Sequence, residues 1–303
     1  PGIPDIMPGM NATAPGTPAR PADTRLPDAE CERLARPVGS PFRLASLKLP
    51  PVRQRAVTAL RALDVSLAEI SETISEPQVA MSKLDWWRQA LLDMTEGRAE
   101  HPVLQSLLAA LDELGHGAEA RSGDSFLVAK LEERLGATRV ELEYEGFAAE
   151  EDLQAFLDAR YGSLFSLYAR LLGGEEEITR AAQTLGRWHG RLERARLLGR
   201  HARAGRVYLP ADLLAAHGLD EADLYRPQAQ GERERLFAAE LERIGAGLGD
   251  WDGNGRPPRL FRILRAVDRE HLRLMQADPG AITEARVEIS PARQWWLAWR
   301  ASW

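Results

Sequence analysis

Long helical segments dominate this sequence and limit what the chain can fold into. From about residue 28 onward Leu, Ala, Arg and Glu predominate, and the β-branched alternation typical of strands is almost absent. The predicted helices are residues 51–75, 78–96, 101–114, 125–135, 149–172, 175–198, 210–217, 231–248, 258–277 and 291–301. Gly and Pro separate them. With 44% hydrophobic residues, the chain has enough apolar material for one large all-α core.

The first part of the chain has a different composition. Residues 1–27 are rich in Pro, Ala, Gly and Thr and contain few large apolar side chains, so they bury too little surface to offset the entropy of ordering. We therefore predict a disordered tail and leading segment over residues 1–40, followed by one helical domain over residues 41–303.

Charge, cysteine count and hydropathy exclude several classes of protein. A net charge of -6 disfavours general nucleic-acid binding. A single cysteine, Cys31, excludes an internal disulfide framework and predicts a reducing compartment. No stretch approaches the roughly 20 apolar residues of a transmembrane helix. We predict a cytoplasmic protein and leave open peripheral contact with the inner membrane. The chain begins at Pro1 rather than Met, so a targeting segment also stays open.

Four segments, in order along the chain, carry a family resemblance. They are PFRLASLKLPPVRQRAVTALRALDVSLAEISETISEP at residues 41–77, KLDWWRQAL at 83–91 followed by HPV at 101–103, the pair ELE at 141–143 and YGSL at 161–164, and GRVYLPADLLAAHGL at 205–219. Together they resemble the squalene/phytoene synthase family. The resemblance implies the isoprenoid-synthase fold, an antiparallel helical bundle around a deep central cavity in which magnesium holds diphosphates.

The metal-binding motifs of that family are eroded here. Active members carry D-D-x-x-D on the first long helix and D-x-x-x-D just before R-G-R-x-Y-L-P, so that carboxylates on two facing helices clamp magnesium. In this chain the first motif corresponds to residues 68–72, AEISE, and the second aspartates correspond to Leu197 and His201. We therefore assign no catalytic residue and expect ordinary metal-dependent prenyl transfer to be absent or very slow.

The lost aspartates and the ending SPARQWWLAWRASW resemble a divergent branch of the family. That branch includes a mitochondrial assembly factor of respiratory complex I and bacterial relatives, which are usually regarded as non-catalytic. The resemblance implies an accessory or assembly factor that binds a protein partner and a prenyl or anionic lipid, without a cofactor. The alternative is an active prenyl transferase that condenses isoprenyl diphosphates and uses magnesium. A third interpretation is that the chain is a helical interaction scaffold with a filled core and no cavity.

Two charged segments are candidate binding sites. Glu69, Glu72 and Glu76 are spaced to form one helical stripe, which would hold a cation through Glu69 and Glu72 or would simply face solvent. A basic run follows at residues 187–206, and Tyr208 lies just after it. Its candidate anion-binding residues are Arg187, Arg191, Arg194, Arg196, Arg200, His201, Arg203, Arg206 and Tyr208. Guanidinium groups bind phosphate oxygens without metal. The alternative is a surface face paired with nearby glutamates, and for His201 alone a structural hydrogen bond.

Tryptophans form two groups. Trp86 and Trp87 are adjacent on a predicted helix, so one of them at most points fully into the core. Trp295, Trp296, Trp299 and Trp303 crowd the last predicted helix together with arginines. Aromatic and basic residues on one helix are typical of membrane interfaces and of protein partner surfaces, and packing against the bundle is the alternative.

Overall fold

The computed structural model describes residues 25–283 and 286–303, and this part of the chain is all-α, with no strand. Its α-helices are α1 Arg25–Ala35, α2 Pro41–Ser46, α3 Pro51–Thr73, α4 Pro77–Thr95, α5 Pro102–Glu113, α6 Gly117–Ala120, α7 Phe126–Leu142, α8 Glu150–Leu157, α9 Ser163–Leu171, α10 Glu176–Arg196, α11 Leu198–Arg203, α12 Ala211–Ala216, α13 Gln230–Gly249, α14 Arg259–Ala277 and α15 Pro291–Ala301. The predicted fold class is confirmed.

The helix boundaries follow local sequence signals. Proline occupies the first turn of α3, α4, α5 and α15, where its missing N–H costs no intrahelical hydrogen bond. Ser125 and Ser290 cap α7 and α15 by accepting a hydrogen bond from a backbone N–H three residues on. These signals explain why most predicted ranges agree with the observed helices within a few residues.

Helix α1 lies inside the range 1–40 that we predicted as tail and leading segment. It packs against α3 and α5 and buries Cys31 and Ala35 in the core. Residues 1–24 of the predicted tail lie outside the described part of the chain, so the domain division itself stays a prediction.

Two long predicted helices are interrupted. The predicted helix 149–172 contains a π-helical turn, Asp158–Gly162, between α8 and α9. The predicted helix 175–198 ends at Arg196, and α11 starts after a break at Leu197. Extra residues in a helical turn change the direction of the side chains that follow them, and such turns are frequent at functional sites. Both interruptions border the central cavity.

Close packing between α10 and the π-helical turn depends on glycine. A Cβ atom at Gly186 would lie 2.7 Å from the carbonyl oxygen of Tyr161, and one at Gly190 would lie 2.1 Å from the Tyr161 ring. Neither contact is sterically acceptable, so both positions require glycine for this approach. The consequence is that α10 and α9 form one continuous wall of the cavity.

A single large apolar cluster surrounds this wall. Leu63 and Leu67 of α3, Leu107 of α5, Phe165 of α9 and Phe261 of α14 belong to it, and all are buried. Trp87 is also buried, whereas Trp86 is exposed, which confirms that only one of the adjacent tryptophans points inward. None of the described helices is long and apolar enough to span a bilayer.

Candidate ligand cavity

A cavity of about 470 Å³ lies at the centre of the helical bundle. Helices α3, α9, α10 and α14 and the π-helical turn contribute to its walls, and residues 34–42 and 286–294 flank it. Small-molecule sites in proteins usually measure roughly 300–1,000 Å³. Apolar side chains such as Phe42, Leu164 and Phe165 line one part, and charged side chains line another. The cavity is therefore amphipathic and large enough for a small ligand.

A buried carboxylate, Asp64 of α3, lies in the charged part of the cavity wall. Its Oδ1 accepts hydrogen bonds from Arg134 Nε at 2.7 Å and from Arg160 Nη1 at 2.6 Å, and its Oδ2 accepts one from Arg61. Burial alone would raise the pKa of Asp64, but the charges of Arg160, Arg134 and Arg61 outweigh it and hold that pKa well below its ordinary value. Asp64 is therefore a permanent anion that holds three arginines in place.

A second buried carboxylate, Glu141 of α7, extends this arrangement. It pairs with Arg194 of α10, lies 3.7 Å from Arg160 Nε, and accepts a hydrogen bond from Ser71 Oγ at 2.9 Å. Burial favours the protonated form, yet the charges of Arg194 and Arg160 lower the pKa of Glu141 to about 2. Glu141 of α7 is thus linked to α10 by an ion pair and to α3 by a hydrogen bond from a neutral hydroxyl.

We call these groups the floor cluster. It consists of Asp64, Glu141, Arg61, Arg134, Arg160 and Arg194. Four guanidinium groups oppose two carboxylates, so the floor cluster carries two positive charges in excess. Arg61 lines the cavity with its side chain 38% exposed. Nearby, the buried Tyr168 hydroxyl has no hydrogen-bond partner among the described residues. An anion in the cavity would meet the members that line it, Arg61, Asp64, Arg160 and Arg194, together with Tyr168.

A histidine–aspartate pair lies on the same wall. His189 Nδ1 is 2.8 Å from Asp268 Oδ2, and His189 lines the cavity. Burial lowers the pKa of His189, but Asp268 outweighs burial and raises it above its ordinary value. His271 lines the cavity too, and there burial and the charge of Arg196 lower the pKa to about 4. His271 is therefore neutral near neutral pH, whereas Asp268 favours the charged form of His189.

The remnant of the first acidic motif lies at the rim of the cavity. Glu69 and Glu72 are exposed and line it. The prediction that Glu76 shares their helical stripe is wrong, because α3 ends at Thr73 and Glu76 precedes α4 as its N-cap residue. The residue before a proline avoids the helical region, and Pro77 therefore stops the helix from continuing. Glu76 does not line the cavity.

The positions of the second motif supply no metal-binding oxygen. Leu197 lines the cavity with an apolar side chain. His201 is buried, and its ring meets the Tyr208 ring edge-on at 5.0 Å. Burial and the charge of Arg194 lower the pKa of His201 to about 3, so its imidazole is neutral. Its Nδ1 has no hydrogen-bond partner among the described residues, so the structural hydrogen bond predicted for it is not found at this atom.

Magnesium binding of the kind that the family uses requires carboxylates on two facing walls. Here Glu69 and Glu72 stand on α3, and Arg200 Nη2 lies 3.4 Å from Glu72 Oε2. Glu193 of α10 also lines the cavity, but its carboxylate is paired with Arg196. Nowhere in residues 25–283 and 286–303 does a group of three or more His, Cys, Asp or Glu side chains have an arrangement that could hold a metal ion. The residues present do not fit a two-sided magnesium clamp.

The structure disperses the predicted anion-binding residues. Arg194 and Arg196 line the cavity, and the others do not. Most are engaged by protein oxygens: Arg187 with Asp158, Arg191 with Glu150 and Glu240, Arg194 with Glu141, Arg196 with Glu193, Arg200 with Glu72, and Arg206 with the Ser71 carbonyl. Arg203 is exposed. Because α10 ends at Arg196 and α11 begins at Leu198, the basic run is divided between two helices and the residues that follow them.

Tyr208 has a packing role beside the cavity. It is buried in an aromatic cluster with Phe147 and Phe156, and the Arg194 guanidinium lies 4.4 Å from its ring centroid. A cation over an aromatic face is attracted by the ring quadrupole. Tyr208 therefore packs against the Arg194 guanidinium but does not line the cavity itself.

Sequence reasoning missed the residues that dominate the charged wall. Asp64, Arg134 and Arg160 each lie on a buried helix face, a position that charged residues occupy only when they are paired. That signal is present in the sequence, since Asp64 follows Ala62 and Leu63 in an apolar stretch. The sequence does not show which residues pair with Asp64, because those residues lie 70 and 96 positions away along the chain.

Comparisons of sequence and fold show which known proteins this chain is similar to. NADH dehydrogenase (ubiquinone) complex I, assembly factor 6 of Rattus norvegicus is 28% identical over 217 residues, which cover 70% of this chain and 62% of that protein. The Mus musculus protein of the same name is 27% identical over 197 residues, 64% of this chain and 56% of its own length. The chain thus matches less than two thirds of the length of these relatives.

Enzymes of the family are also similar to the chain. Phytoene synthase 2, chloroplastic, of Zea mays is 22% identical over 220 residues, 70% of this chain and 52% of that protein. The crystal structure of a dehydrosqualene synthase in complex with ligand superposes with a TM-score of 0.77 at 18% identity and covers 92% of this chain and 96% of that one, a likeness of fold. Residues 35–293 match the profile of squalene/phytoene synthase. The chain belongs to the squalene/phytoene synthase family.

Proposed function

We propose that this chain is a non-catalytic member of its family that binds a prenyl diphosphate or another anionic lipid in the central cavity through arginine side chains, without metal. The observation that carries the proposal is the floor cluster, of which Arg61, Arg160 and Arg194 line the cavity together with one carboxylate, Asp64. At the rim, Arg200 pairs with Glu72 at 3.4 Å. Where the family resemblance implies magnesium between two acidic walls, this chain has a direct ion pair across the rim. Leu197 and His201 add no oxygen ligand there.

The charge of the floor cluster supports anion binding. Its two excess positive charges are partly shielded from water, so a diphosphate or phosphate group would gain more from each contact than on an open surface. Arg61 is the member best placed for direct contact, because its side chain is 38% exposed and lines the cavity. The apolar wall around Leu164 and Phe165 would receive the hydrocarbon part of the ligand.

An accessory role in the assembly of a larger complex is the second part of the proposal. It is supported by the rat and mouse relatives, whose names describe assembly factors. A protein partner follows from that role. The chain matches 62% and 56% of the length of those relatives, so the activity of the whole proteins is not carried over by the match alone.

Ligand binding without metal is tested with farnesyl diphosphate in excess chelator, measured by calorimetry. Wild type is expected to bind, and Arg61→Ala to bind about tenfold or more weakly, because a hydrogen bond to a charged group contributes about 1.5–3 kcal/mol. Arg203→Ala is the matched control, since Arg203 is exposed and does not line the cavity. Equal binding by all three proteins would contradict the proposal.

Catalytic inactivity needs a separate assay. Purified protein is incubated with farnesyl or geranylgeranyl diphosphate and magnesium, and hydrocarbon products are extracted. No squalene, phytoene or cyclopropyl intermediate is expected. Product formation that Glu69→Ala abolishes would favour the alternative, an active prenyl transferase with altered metal use.

A further inference from the structure

The last helix of the chain exposes a row of tryptophans. Trp295 and Trp299 of α15 are four residues apart and therefore share one helix face, with 61% and 54% of their surface exposed. Trp303, a further four residues on, follows the end of the helix and is 76% exposed. Leu297 and Ala298 are buried, which shows that α15 already has a different face packed on the bundle. We call Trp295, Trp299 and Trp303 the tryptophan row.

Exposure of this size requires an explanation. Large aromatic side chains lose favourable burial energy when they stay in water, and clustered exposed apolar groups usually mark an interaction surface. Trp296, on the same helix, differs from these three because it is partly buried and packs with Val267 and Ile289. The side chains of the tryptophan row are exposed and do not pack into the core as Trp296 does.

Arginines lie on the helix that carries the tryptophan row and next to the end of that helix. The Arg300 guanidinium lies 5.3 Å from the Trp296 ring centroid, and no carboxylate within the described residues forms an ion pair with it. Arg259 and Arg262 of α14 reach Ser302, the residue before Trp303, and donate hydrogen bonds to its hydroxyl and carbonyl oxygens at 3.0 and 3.1 Å.

Neutralising acids are few on this surface. Glu270 is engaged by both Arg273 and Arg293, so a single carboxylate serves two arginines. Burial lowers the pKa of Arg262, and the neighbouring charges of Arg256 and Arg259 lower it further, as expected where positive charges are close together. The whole chain has a net charge of -6, so this local excess of arginine opposes the overall charge.

We propose that the tryptophan row and the arginines beside it form a docking surface for an anionic phospholipid bilayer. Tryptophan prefers the boundary between headgroups and acyl chains, and each nearby arginine gains from the negative surface potential. Such a surface lets the protein lie on a membrane without spanning it. The charge complementarity favours an anionic bilayer over a neutral one.

The surface also lies beside the cavity. Gln294 lines the cavity, and the next residue, Trp295, begins the tryptophan row. Ser40 and Phe42, next to and within α2, line the same part of the cavity, and α2 packs against α15. Docking through the tryptophan row would therefore bring this wall of the cavity to the lipid surface. The docking surface does not depend on the proposed ligand, because Trp295, Trp299 and Trp303 do not line the cavity.

Flotation with vesicles tests the docking surface. Full-length protein is mixed with vesicles of phosphatidylcholine alone or of phosphatidylcholine with phosphatidylglycerol, at low and at high salt. Wild type is expected to float with the anionic vesicles, less at high salt because of screening, and little with the neutral ones. Equal binding to both vesicle types, or no binding to either, would overturn the proposal.

Substitutions locate the contact. Trp295→Ser combined with Trp299→Ser is expected to weaken binding to anionic vesicles more than about tenfold, since both rings would leave the interface. Trp86→Ser is the matched control, because Trp86 is 49% exposed but lies on α4. Arg300→Gln, which leaves every tryptophan in place, is expected to weaken binding about fivefold.

Two results would overturn this assignment. One is anionic-vesicle binding by the double tryptophan variant as strong as that of wild type. The other is a wild-type dimer in light scattering that ignores vesicles and becomes a monomer in the double variant, which would make the row an interface between two copies of this chain. Because Trp295 and Trp299 do not line the cavity, the double tryptophan variant should bind farnesyl diphosphate in excess chelator as tightly as wild type does, so a failure of cavity binding and a failure of membrane docking remain distinguishable.

Discussion

Two carboxylates of the same helix, Asp64 and Glu72, behave in opposite ways. Both lie on α3 and line the same cavity. Asp64 is buried and receives hydrogen bonds from three arginines, whereas Glu72 is 43% exposed and has one long contact, with Arg200. Because charge attraction is strong only where water is excluded, the first arrangement is fixed and the second is readily broken. One helix thus carries a fixed ionic group at the floor of the cavity and a weak, exposed ion pair at its rim.

The largest expected effect is at the floor. Asp64→Ala would leave Arg61, Arg134 and Arg160 without their shared counterion, and removal of one partner from a buried ionic group usually costs about 3–5 kcal/mol. Urea unfolding followed by circular dichroism should show a clear loss of the free energy of unfolding. A variant as stable as wild type would mean that water or ligand anions replace Asp64 and that the floor is not fixed.

The next largest effect is expected at low pH, where protonation of buried groups lowers the stability of the folded protein. His271 has a pKa of about 4, below its ordinary value of 6.5, so the folded state resists its protonation. Its stabilising contribution is present above pH 6.5 and is lost as the pH falls towards 4, by at most about 3 kcal/mol. The raised pKa of His189 acts in the opposite sense, since its contribution is lost as the pH rises.

Melting temperatures across this range provide the measurement. His271→Gln should flatten the decline between pH 6.5 and pH 4, because glutamine takes up no proton there. An unchanged pH profile in this variant would assign the decline to other groups, such as His201, whose pKa is lowered from 6.5 to about 3 and whose loss therefore begins in the same pH range.

A substitution at Gly190 tests the close packing of α10 against the π-helical turn, which together form part of the cavity wall. Gly190→Ala places a methyl group 2.1 Å from the Tyr161 ring, and the Arg160 guanidinium lies 4.9 Å from that ring. Overpacking of this kind usually costs about 1–3 kcal/mol. Gly136→Ala on α7 is the control, because no atom lies within 4 Å of a Cβ there. Chemical denaturation of both variants would show whether close approach matters at Gly190 alone.

The smallest effect is expected at the rim. Arg200→Ala removes an exposed ion pair, and such pairs usually contribute less than about 1 kcal/mol. Stability should therefore change little, within the error of most unfolding experiments. A loss as large as that of Asp64→Ala would erase the distinction between floor and rim.

Sequence alone determined the class of fold, most helix positions and the loss of the second acidic motif. Each of these is a local property: helical spacing, Gly and Pro punctuation, and the residues that precede 205–210 are read along the chain. Reliance on local sequence also explains the two helix predictions that were wrong. The break at Leu197 and the π-helical turn at Asp158–Gly162 arise where helices already placed by the core adjust to one another, and no nearby residue predicts them.

Tertiary structure decided which charges act together. Asp64 meets Arg134 across 70 residues and Arg160 across 96, and Glu141 meets Arg194 across 53. The sequence shows that each residue is charged, but its pKa and its freedom to bind a ligand depend on burial and on partners that distant helices supply. Helix formation depends on neighbours in sequence, whereas electrostatics depends on neighbours in space. That is why the fold was predictable and the charged wall of its cavity was not.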